Sequence, residues 1–191
     1  MPKHIRTIMR AKGSHLFFLR SKYRTDDGSI KSYDIVSRDP NHNPNRSRKH
    51  PDAVTIFVLN KDHSQMLITH EFRYPVNGWT ISTPAGLIDP GEKPVETAKR
   101  ELQEETGYTT VLDAKTLPAT YSSVGMSDEK VQPVILVIDE TKHTEQDLGS
   151  GEVIKYQWVS KDEAKTIATT ATNLTARAQL ALLLFANDAL I

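Results

Sequence analysis

The stretch that decides the fold spans residues 86–108 and reads GLIDPGEKPVETAKRELQEETGY. Its DPGE segment at 89–92 predicts a turn, because proline fixes φ and glycine accepts unusual backbone dihedrals. Pro94 suits the first position of a helix, where its missing N–H costs nothing, and Gly107 suits the left-handed position just past a helix end. Ala98 and Leu102 lie four residues apart and would face a core. The pattern therefore predicts a turn followed by a helix over residues 94–106.

The predicted helix carries three glutamates on one face. Glu101 stands three residues before Glu104 and four before Glu105, and these spacings bring side chains together on a helix. A glutamate-rich helix is usually a solvated surface, but carboxylates this close repel one another and favour a cation. A hard divalent ion held by oxygen ligands is the natural partner. Arg100 lies beside this face and is expected to pair with Glu92 across the preceding loop.

The composition excludes several classes of protein. The chain has 191 residues, which fits a single domain, and its 24 basic and 24 acidic residues balance, so no net field attracts nucleic acid or a membrane surface. The absence of cysteine excludes a disulfide framework, a thiolate nucleophile and a thiolate metal site. The apolar run at 180–186 is too short to span a bilayer, and the N-terminus has no apolar signal region. We therefore expect a cytoplasmic protein.

Strand patterns dominate the rest of the sequence. Apolar and β-branched runs predict strands at 15–23, 30–38, 53–59, 66–73, 131–138 and 153–159, the first two joined by a hairpin turn with Asp-Gly. SKDE at 160–163 is a capping box, and Asn173 is expected to cap a last helix running through Leu184. The loop at 39–51, with its basic run at 46–50, is interpreted as solvated, or as reaching an anionic ligand or a second subunit. Together these elements predict an α/β fold, a mixed β-sheet with helices on its faces.

The fixed positions of the decisive stretch resemble a family signature. From Gly86 to Tyr108 they follow the spacing Gly-x5-Glu-x7-Arg-Glu-U-x-Glu-Glu-x-Gly-U, where U is a bulky apolar residue. This spacing resembles that of the Nudix hydrolases, although Tyr108 stands in a slot that is more often aliphatic. The resemblance implies the Nudix fold, a mixed β-sheet sandwiched between helices, with an N-terminal antiparallel β-hairpin. We expect a single Nudix hydrolase domain over 1–191, with N-terminal strands and a loop at 1–50 that serve dimerisation and a Nudix core at 51–191.

The resemblance extends beyond the signature, to segments that resemble one branch of that family, the ADP-ribose pyrophosphatases. These segments are EFRYP at 71–75, PAGLIDPGE at 84–92, GEVI at 151–154 and WVS at 158–160. The resemblance implies metal-dependent hydrolysis of the diphosphate bond of ADP-ribose or a related nucleoside diphosphate sugar, which releases a nucleoside monophosphate and a sugar phosphate. It also implies a homodimer, and whether its N-terminal strands exchange between subunits is left open.

The same resemblance assigns a metal site. Mg²⁺ suits a site of carboxylates and water, and Mn²⁺ often substitutes for it. Glu92 and Arg100 are expected to orient the loop and the helix that carry the ligands. The number of metal ions is left open. The expected metal ligands are the carboxylates of Glu101, Glu104 and Glu105 and the backbone carbonyl of Ala85.

A general base must take the proton from the attacking water. The branch supplies this base from a loop after the signature, and the matching residue is Glu152. Glu129, which also lies between the signature and a following strand, is the alternative. The expected catalytic set is Glu152, Glu105, Glu101, Arg100 and Glu92.

Five further residues match substrate contacts of the branch. Arg73 is expected to hold a phosphate through its guanidinium. Tyr33 and Arg38 match positions that contact the adenine and a phosphate from the partner subunit. Gly125 and Met126 match a loop that lines the terminal ribose.

One departure leaves the substrate open. The branch usually has a glutamate two residues before the proline of its Pro-Ala-Gly element, and Ser82 occupies that position here. ADP-glucose, GDP-mannose and NADH therefore remain alternatives to ADP-ribose. A non-catalytic Nudix domain that senses ADP-ribose is the alternative from a different class of protein, and such domains commonly lose signature glutamates that this chain keeps.

Overall fold

The computed structural model describes residues 1–45 and 50–190. The basic run predicted to lie in a loop at 46–50 therefore falls outside the described residues except for His50. The chain divides into two compact units, the first formed by Met1–Asp52 and Ala119–Val131 and the second by Ala53–Pro118 and Gln132–Ile191. The division into a dimerisation segment at 1–50 and a Nudix core at 51–191 within one domain stays a prediction.

The described chain contains strands and three α-helices, with a short 3₁₀ turn at Tyr74–Val76. The strands are β1 (Lys3–Lys12), β2 (Phe17–Arg24), β3 (Ile30–Ser37), β4 (Ala53–Asn60), β5 (Gln65–Arg73), β6 (Gly78–Ser82), β7 (Ala85–Leu87), β8 (Val111–Thr116), β9 (Thr120–Tyr121), β10 (Lys130–Ile138) and β11 (Ile154–Ser160). The helices are α1 (Pro94–Thr106), α2 (Lys161–Thr170) and α3 (Ala176–Ala186).

The first unit is built on an antiparallel sheet in the order β1-β2-β3. Strands β2 and β3 form the predicted N-terminal hairpin, and Gly28 in its turn has a φ of +83°, which a side chain would disfavour. Strand β1, which the sequence analysis did not predict, pairs along the other edge of β2. The segment 119–131 joins this unit through a bond that the Val36 N–H donates to the Met126 carbonyl at 2.9 Å.

The second unit is an α/β sandwich, as predicted. Its sheet follows the order β11-β5-β4-β10-β8, with β6 paired to β5 and β7 paired to β4. Strand β4 is buried throughout, and its side chains alternate between two cores. The core against α1 includes Val54, Ile56, Val58, Ala98 and Leu102. The core against α2 and α3 includes Phe57, Leu59, Ala164, Leu182 and Phe185.

The helix ends follow the local sequence with one correction. Helix α1 begins at Pro94 and ends before Gly107, whose φ of +77° is left-handed as predicted. The cap of α3 is Thr175, whose hydroxyl accepts a hydrogen bond from a first-turn N–H, and not Asn173 as predicted. Asn173 instead donates its side-chain amide to the Trp79 carbonyl at 3.0 Å. Within residues 1–45 and 50–190, no helix is long and apolar enough to cross a membrane.

Candidate active site

Arg100 organises the acidic face of α1. Its Nε and Nη2 donate to the Glu92 carboxylate at 3.2 and 3.1 Å, so the predicted pair across the preceding loop is confirmed. Its Nη1 donates to Glu101 at 2.8 Å and to Glu104 at 3.0 Å, and its Nη2 also donates to the Leu87 carbonyl at 3.1 Å. These bonds raise the pKa of Arg100 and lower that of Glu92. One guanidinium thus joins the turn, strand β7 and the helix.

Gly86 lets the strand before the helix approach the acidic face. It lies in β7 opposite Val54 of β4. A Cβ built on Gly86 would overlap the carboxylate of Glu101. The first glycine of the signature is therefore required for close approach of backbone to a carboxylate, and not for a positive φ.

Glu105 of α1 is buried, and Glu101 is partly buried. Burial raises the pKa of Glu101 to about 7, although the hydrogen bond and charge of Arg100 lower it. Burial, followed by the charge of Glu101, raises the pKa of Glu105 well above its ordinary value. Glu105 is only 8% exposed, and its carboxylate accepts a hydrogen bond from the Ala85 N–H at 3.5 Å. These carboxyls lie where a cation would be most favourable.

The two candidates for the general base have different surroundings. The charge of Glu152 contributes to the raised pKa of Glu101 and of Glu105, and the charge of Glu71 also raises the pKa of Glu105. The Glu152 carboxylate also accepts a hydrogen bond from the Gly149 N–H at 2.8 Å. Glu129, in the first unit, accepts a hydrogen bond from Arg38 at 3.1 Å. This ion pair occupies the Glu129 carboxylate and favours Glu152 as the base, whose catalytic role stays a prediction.

The loop that carries Glu152 is attached at both ends. Near its start, the Asp147 N–H donates to the Glu104 carbonyl at 2.9 Å, and the Gln146 side-chain amide donates to the Glu105 carbonyl. Near its end, the Tyr74 hydroxyl donates to the Gly151 carbonyl at 2.9 Å. No local sequence pattern indicates these contacts, because each joins residues that are far apart in the chain.

The described residues contain no ready-made cluster of three or more His, Asp or Glu side chains arranged to hold a metal ion. The donor set nevertheless fits a hard cation, because it consists of carboxylate oxygens, and burial raises the pKa of two of these carboxyls, Glu101 and Glu105. Arg100 supplies the positive charge that contacts Glu101 and Glu104. Each of these carboxylates contacts the guanidinium through one oxygen and could offer its other oxygen to an ion.

The predicted substrate residues of the first unit lie together. The Tyr33 hydroxyl donates to the Gly125 carbonyl at 3.1 Å. Tyr33 and Met126 line a cavity of about 590 Å³. Arg38 pairs with Glu129 in the same unit. The sequence analysis did not single out His42, which lines the same cavity and bonds to a carboxylate from the segment 119–131.

The predicted phosphate contact of the second unit is exposed. The Arg73 side chain is 56% exposed and forms an ion pair with Glu71 on the same strand. Ser82, the departure from the branch pattern, is buried, and its hydroxyl donates to the Thr83 carbonyl at 3.3 Å. At Ser82 the chain therefore places a small packed hydroxyl where the branch usually has a carboxylate.

The α/β sandwich and the acidic face of helix α1, where Arg100 contacts the glutamates, define a class of α/β proteins with an acidic site for a cation. The model of the NUDIX domain matches residues 49–180, and the chain belongs to the Nudix family. Members of this family generally use divalent metal ions.

Two relatives illustrate the similarity. Over 61% of this chain, the sequence is 33% identical to the ADP-ribose pyrophosphatase of Bacillus subtilis. Over 72% of this chain, it is 30% identical to the ADP-sugar pyrophosphatase of Mus musculus. Each match spans 62% of the relative's own length. A crystal structure of an ADP compounds hydrolase aligns with a TM-score of 0.74 and 17% identity, covering 100% of this chain and 97% of that one. This likeness confirms the fold.

Proposed function

We propose that this protein hydrolyses the diphosphate bond of ADP-ribose or a related nucleoside diphosphate sugar, using a divalent metal ion. The observation that carries the proposal is the pair of carboxyls whose pKa is raised by burial, the partly buried Glu101 and the buried Glu105. An apolar side chain would fill the same space without the cost of desolvating a carboxylate. Buried acidic groups with strongly shifted pKa values are concentrated at functional sites.

The proposed residue roles follow from the contacts of the helix. The carboxylates of Glu101, Glu104 and Glu105 and the carbonyl of Ala85 would hold the ion, with Mg²⁺ as the first choice and Mn²⁺ as a substitute. A bound ion neutralises charge on phosphoryl oxygens and lowers the pKa of bound water. The hydrogen bonds of Arg100 to Glu92 keep the preceding turn in place. They act as a support behind the ligands.

Glu152 is the proposed proton acceptor. Its charge acts on the carboxyls of Glu101 and Glu105, and the Gly149 N–H donates to its carboxylate. Arg73 is proposed to bind a phosphate of the substrate, because its guanidinium is exposed and suits bidentate contacts. Tyr33 and Arg38 are proposed to contact the base and a phosphate, and the remaining proposed contacts are Gly125 and Met126.

The choice of substrate rests on the relatives. Two of them are named for ADP-ribose and ADP-sugars, which supports an adenine nucleotide. ADP-glucose, GDP-mannose and NADH are the alternative substrates, and an ADP-ribose sensor without catalysis is the alternative function. The presence of every signature glutamate favours hydrolysis over sensing.

A homodimer is proposed as the working assembly. Strands β1 and β2 expose large apolar side chains, including Ile5, Met9 and Phe18, which favour burial against a second copy. Light scattering coupled to size exclusion tests this proposal, and a purely monomeric protein at micromolar concentration would contradict it. The cytoplasmic location and the expected lack of a nucleic-acid partner stay predictions.

The test of the activity is a substrate panel. Phosphomonoester products are measured after incubation with ADP-ribose, ADP-glucose, GDP-mannose and NADH, each with Mg²⁺, with Mn²⁺ and with a chelator. We expect AMP and ribose 5-phosphate from ADP-ribose with either metal and none with the chelator. Glu105→Gln should lose several orders of magnitude in kcat, whereas exposed Glu145→Gln serves as a matched control. Failure of all four substrates would refute the proposal.

A further inference from the structure

The loop that carries Glu152 bonds to carbonyls at the end of helix α1. A helix end leaves its last carbonyls without partners inside the helix. The Asp147 N–H donates to the Glu104 carbonyl at 2.9 Å, and the Thr144 N–H donates to the Gly107 carbonyl at 2.8 Å. A Cβ built on Gly107 would lie 2.0 Å from the Thr144 carbonyl oxygen, so the backbones are in close contact. The loop therefore completes the C-terminal end of the helix that carries the proposed metal ligands.

Gln146 lies between these two backbone contacts and joins three parts of the structure through its side chain. Its amide nitrogen donates to the Glu105 carbonyl, and it also donates to the Ile154 carbonyl at 3.4 Å. The amide nitrogen carries two N–H groups, one for each carbonyl. Glu105 belongs to α1 and Ile154 is the first residue of β11, so these bonds join the helix, the start of the loop and its end. They close residues 146–154 into a ring that contains Glu152.

Local contacts within the loop do not fix the position of Glu152 relative to α1. Its carboxylate accepts from the Gly149 N–H at 2.8 Å, and its own N–H donates to the Gly149 carbonyl at 3.0 Å. The preceding residue, Gly151, has a φ of +88°, a conformation that glycine adopts without strain but does not enforce. The distance of Glu152 from the helix therefore depends on the bonds at the two ends of the loop. Gln146 contacts both ends.

We propose that Gln146 is a positioning residue, whose side-chain bonds to the Glu105 and Ile154 carbonyls hold Glu152 at a fixed distance from the acidic face of α1. In this role Gln146 acts through the main chain, without contact to the reacting groups. The inference rests on the proposed function, in which Glu152 accepts the proton, and goes beyond it by naming the side chain that attaches this base to the helix. A displacement of about 1 Å at a reacting group is enough to lower a rate about a hundredfold.

The first test is steady-state hydrolysis of ADP-ribose with Mg²⁺ by variants of the full-length protein. Gln146→Met keeps nearly the same shape but removes both donors, so kcat should fall at least about tenfold while KM changes by less than about twofold. Gln146→Lys restores a donor near a helix C-terminus, where positive charge is favourable, and should return kcat to within about threefold of the wild type. Wild-type kcat in folded Gln146→Met, or no recovery in folded Gln146→Lys, would overturn the proposal.

Gln179→Met is the matched control. The Gln179 side-chain amide donates to the Ala168 carbonyl of α2 at 2.9 Å, so the same substitution removes the same kind of bond away from the loop. Its kcat should equal that of the wild type, and thermal unfolding checks that every variant folds. A loss of kcat in Gln179→Met as large as that in Gln146→Met would mean that the loss reports general stability and would overturn the proposal.

Two further measurements separate this inference from the proposed function. In a double-mutant cycle, adding Gln146→Met to Glu152→Gln should lower kcat by no more than about twofold, because the base is already absent, and a full second loss would overturn the proposal. Hydrogen exchange of the metal-free protein needs no activity, and Gln146→Met should exchange faster at residues 147–153 than the wild type or Gln179→Met. Faster exchange in a protein that fails the substrate panel would refute the proposed function and keep the attachment of the loop by Gln146. Unchanged exchange in an active protein would refute only this inference.

Discussion

Replacing Glu101 with glutamine should stabilise the metal-free protein while it abolishes activity. The Glu101 side chain is 14% exposed, and burial raises the pKa of its carboxyl from 4.5 to about 7. At pH 8 the folded protein must hold this carboxylate ionised in an unfavourable environment. Glutamine has nearly the same shape and no charge, and its carbonyl oxygen can still accept from Arg100.

The magnitude follows from the shifted pKa. A tenfold change in proton affinity is worth about 1.4 kcal/mol, so the ionised carboxylate lowers the free energy of unfolding at pH 8 by at most about 3 kcal/mol. Between pH 4.5 and pH 7 the folded state retains the proton that the unfolded state releases, so wild-type stability falls as pH rises through this window. The gain from Glu101→Gln should therefore be about 1 kcal/mol at pH 5 and reach its full value near pH 8.

The assay is thermal unfolding in a chelator at pH 5 and pH 8. For a chain of this size, about 3 kcal/mol corresponds to a rise in Tm of about 6–12 °C. Glu145→Gln removes an exposed carboxylate and should change Tm by no more than about 2 °C. Added Mg²⁺ should raise the Tm of the wild type by mass action and have little effect on Glu101→Gln.

Two results would refute the reasoning. A lower Tm for Glu101→Gln at pH 8 would mean that the carboxylate stabilises the fold through Arg100 more than its burial costs. An equal gain at pH 5 and pH 8 would mean that the gain does not come from removing a buried charge. Either result would indicate that the acidic face of α1 serves the fold, as a network of ion pairs with Arg100.

Three further substitutions test other contacts. Gly86→Ala places a methyl group against Glu101, so we expect at least about a hundredfold loss in kcat, and near-normal turnover would contradict the close approach. Tyr74→Phe removes the bond to the Gly151 carbonyl, so kcat should fall about tenfold with little change in KM, and an unchanged kcat in Tyr74→Phe would show that the loop does not need this bond. Ser160→Ala removes the cap of α2 and should lower the free energy of unfolding by about 1 kcal/mol in urea titrations, with full activity; an unchanged urea midpoint would contradict the cap.

Local signals account for the part of the fold that the sequence predicted. Helix α1 depends on Pro94 at its start, Gly107 at its end and side chains three and four residues apart, so a single window of sequence contains all the information. Strand β1 has no such signal, because its residues are mostly polar and exposed and it becomes a strand only by pairing with β2. The cap of α3 was misplaced for a related reason. Asn173 and Thr175 can both cap a helix, and the backbone bonds of both residues to Ile81 decide between them.

The candidate site likewise combines features that one window of sequence predicts with features that depend on contacts between distant residues. The acidic face and the Arg100–Glu92 pair lie within fourteen residues and could be read from spacing. The preference for Glu152 over Glu129 could not, because it depends on the ion pair of Glu129 with Arg38, 91 residues away in the chain. His42 was missed because its partner lies 86 residues away and a single histidine in a loop carries no pattern.

The position of Arg100 explains how a helix face that is proposed to bind a metal ion can fold without one. The guanidinium contacts Glu101 and Glu104 through one nitrogen, while its other two nitrogens hold Glu92. If a bound ion draws the carboxylates of Glu101 and Glu104 away from the guanidinium, Arg100 still keeps the bidentate pair with Glu92. Arginine is better suited to this double task than lysine, because its planar group offers several donors in fixed directions. Arg100→Lys should therefore weaken metal-dependent stabilisation more than it lowers the stability of the metal-free protein, and thermal unfolding with and without Mg²⁺ separates the two effects. Equal losses would mean that Arg100 serves the fold alone.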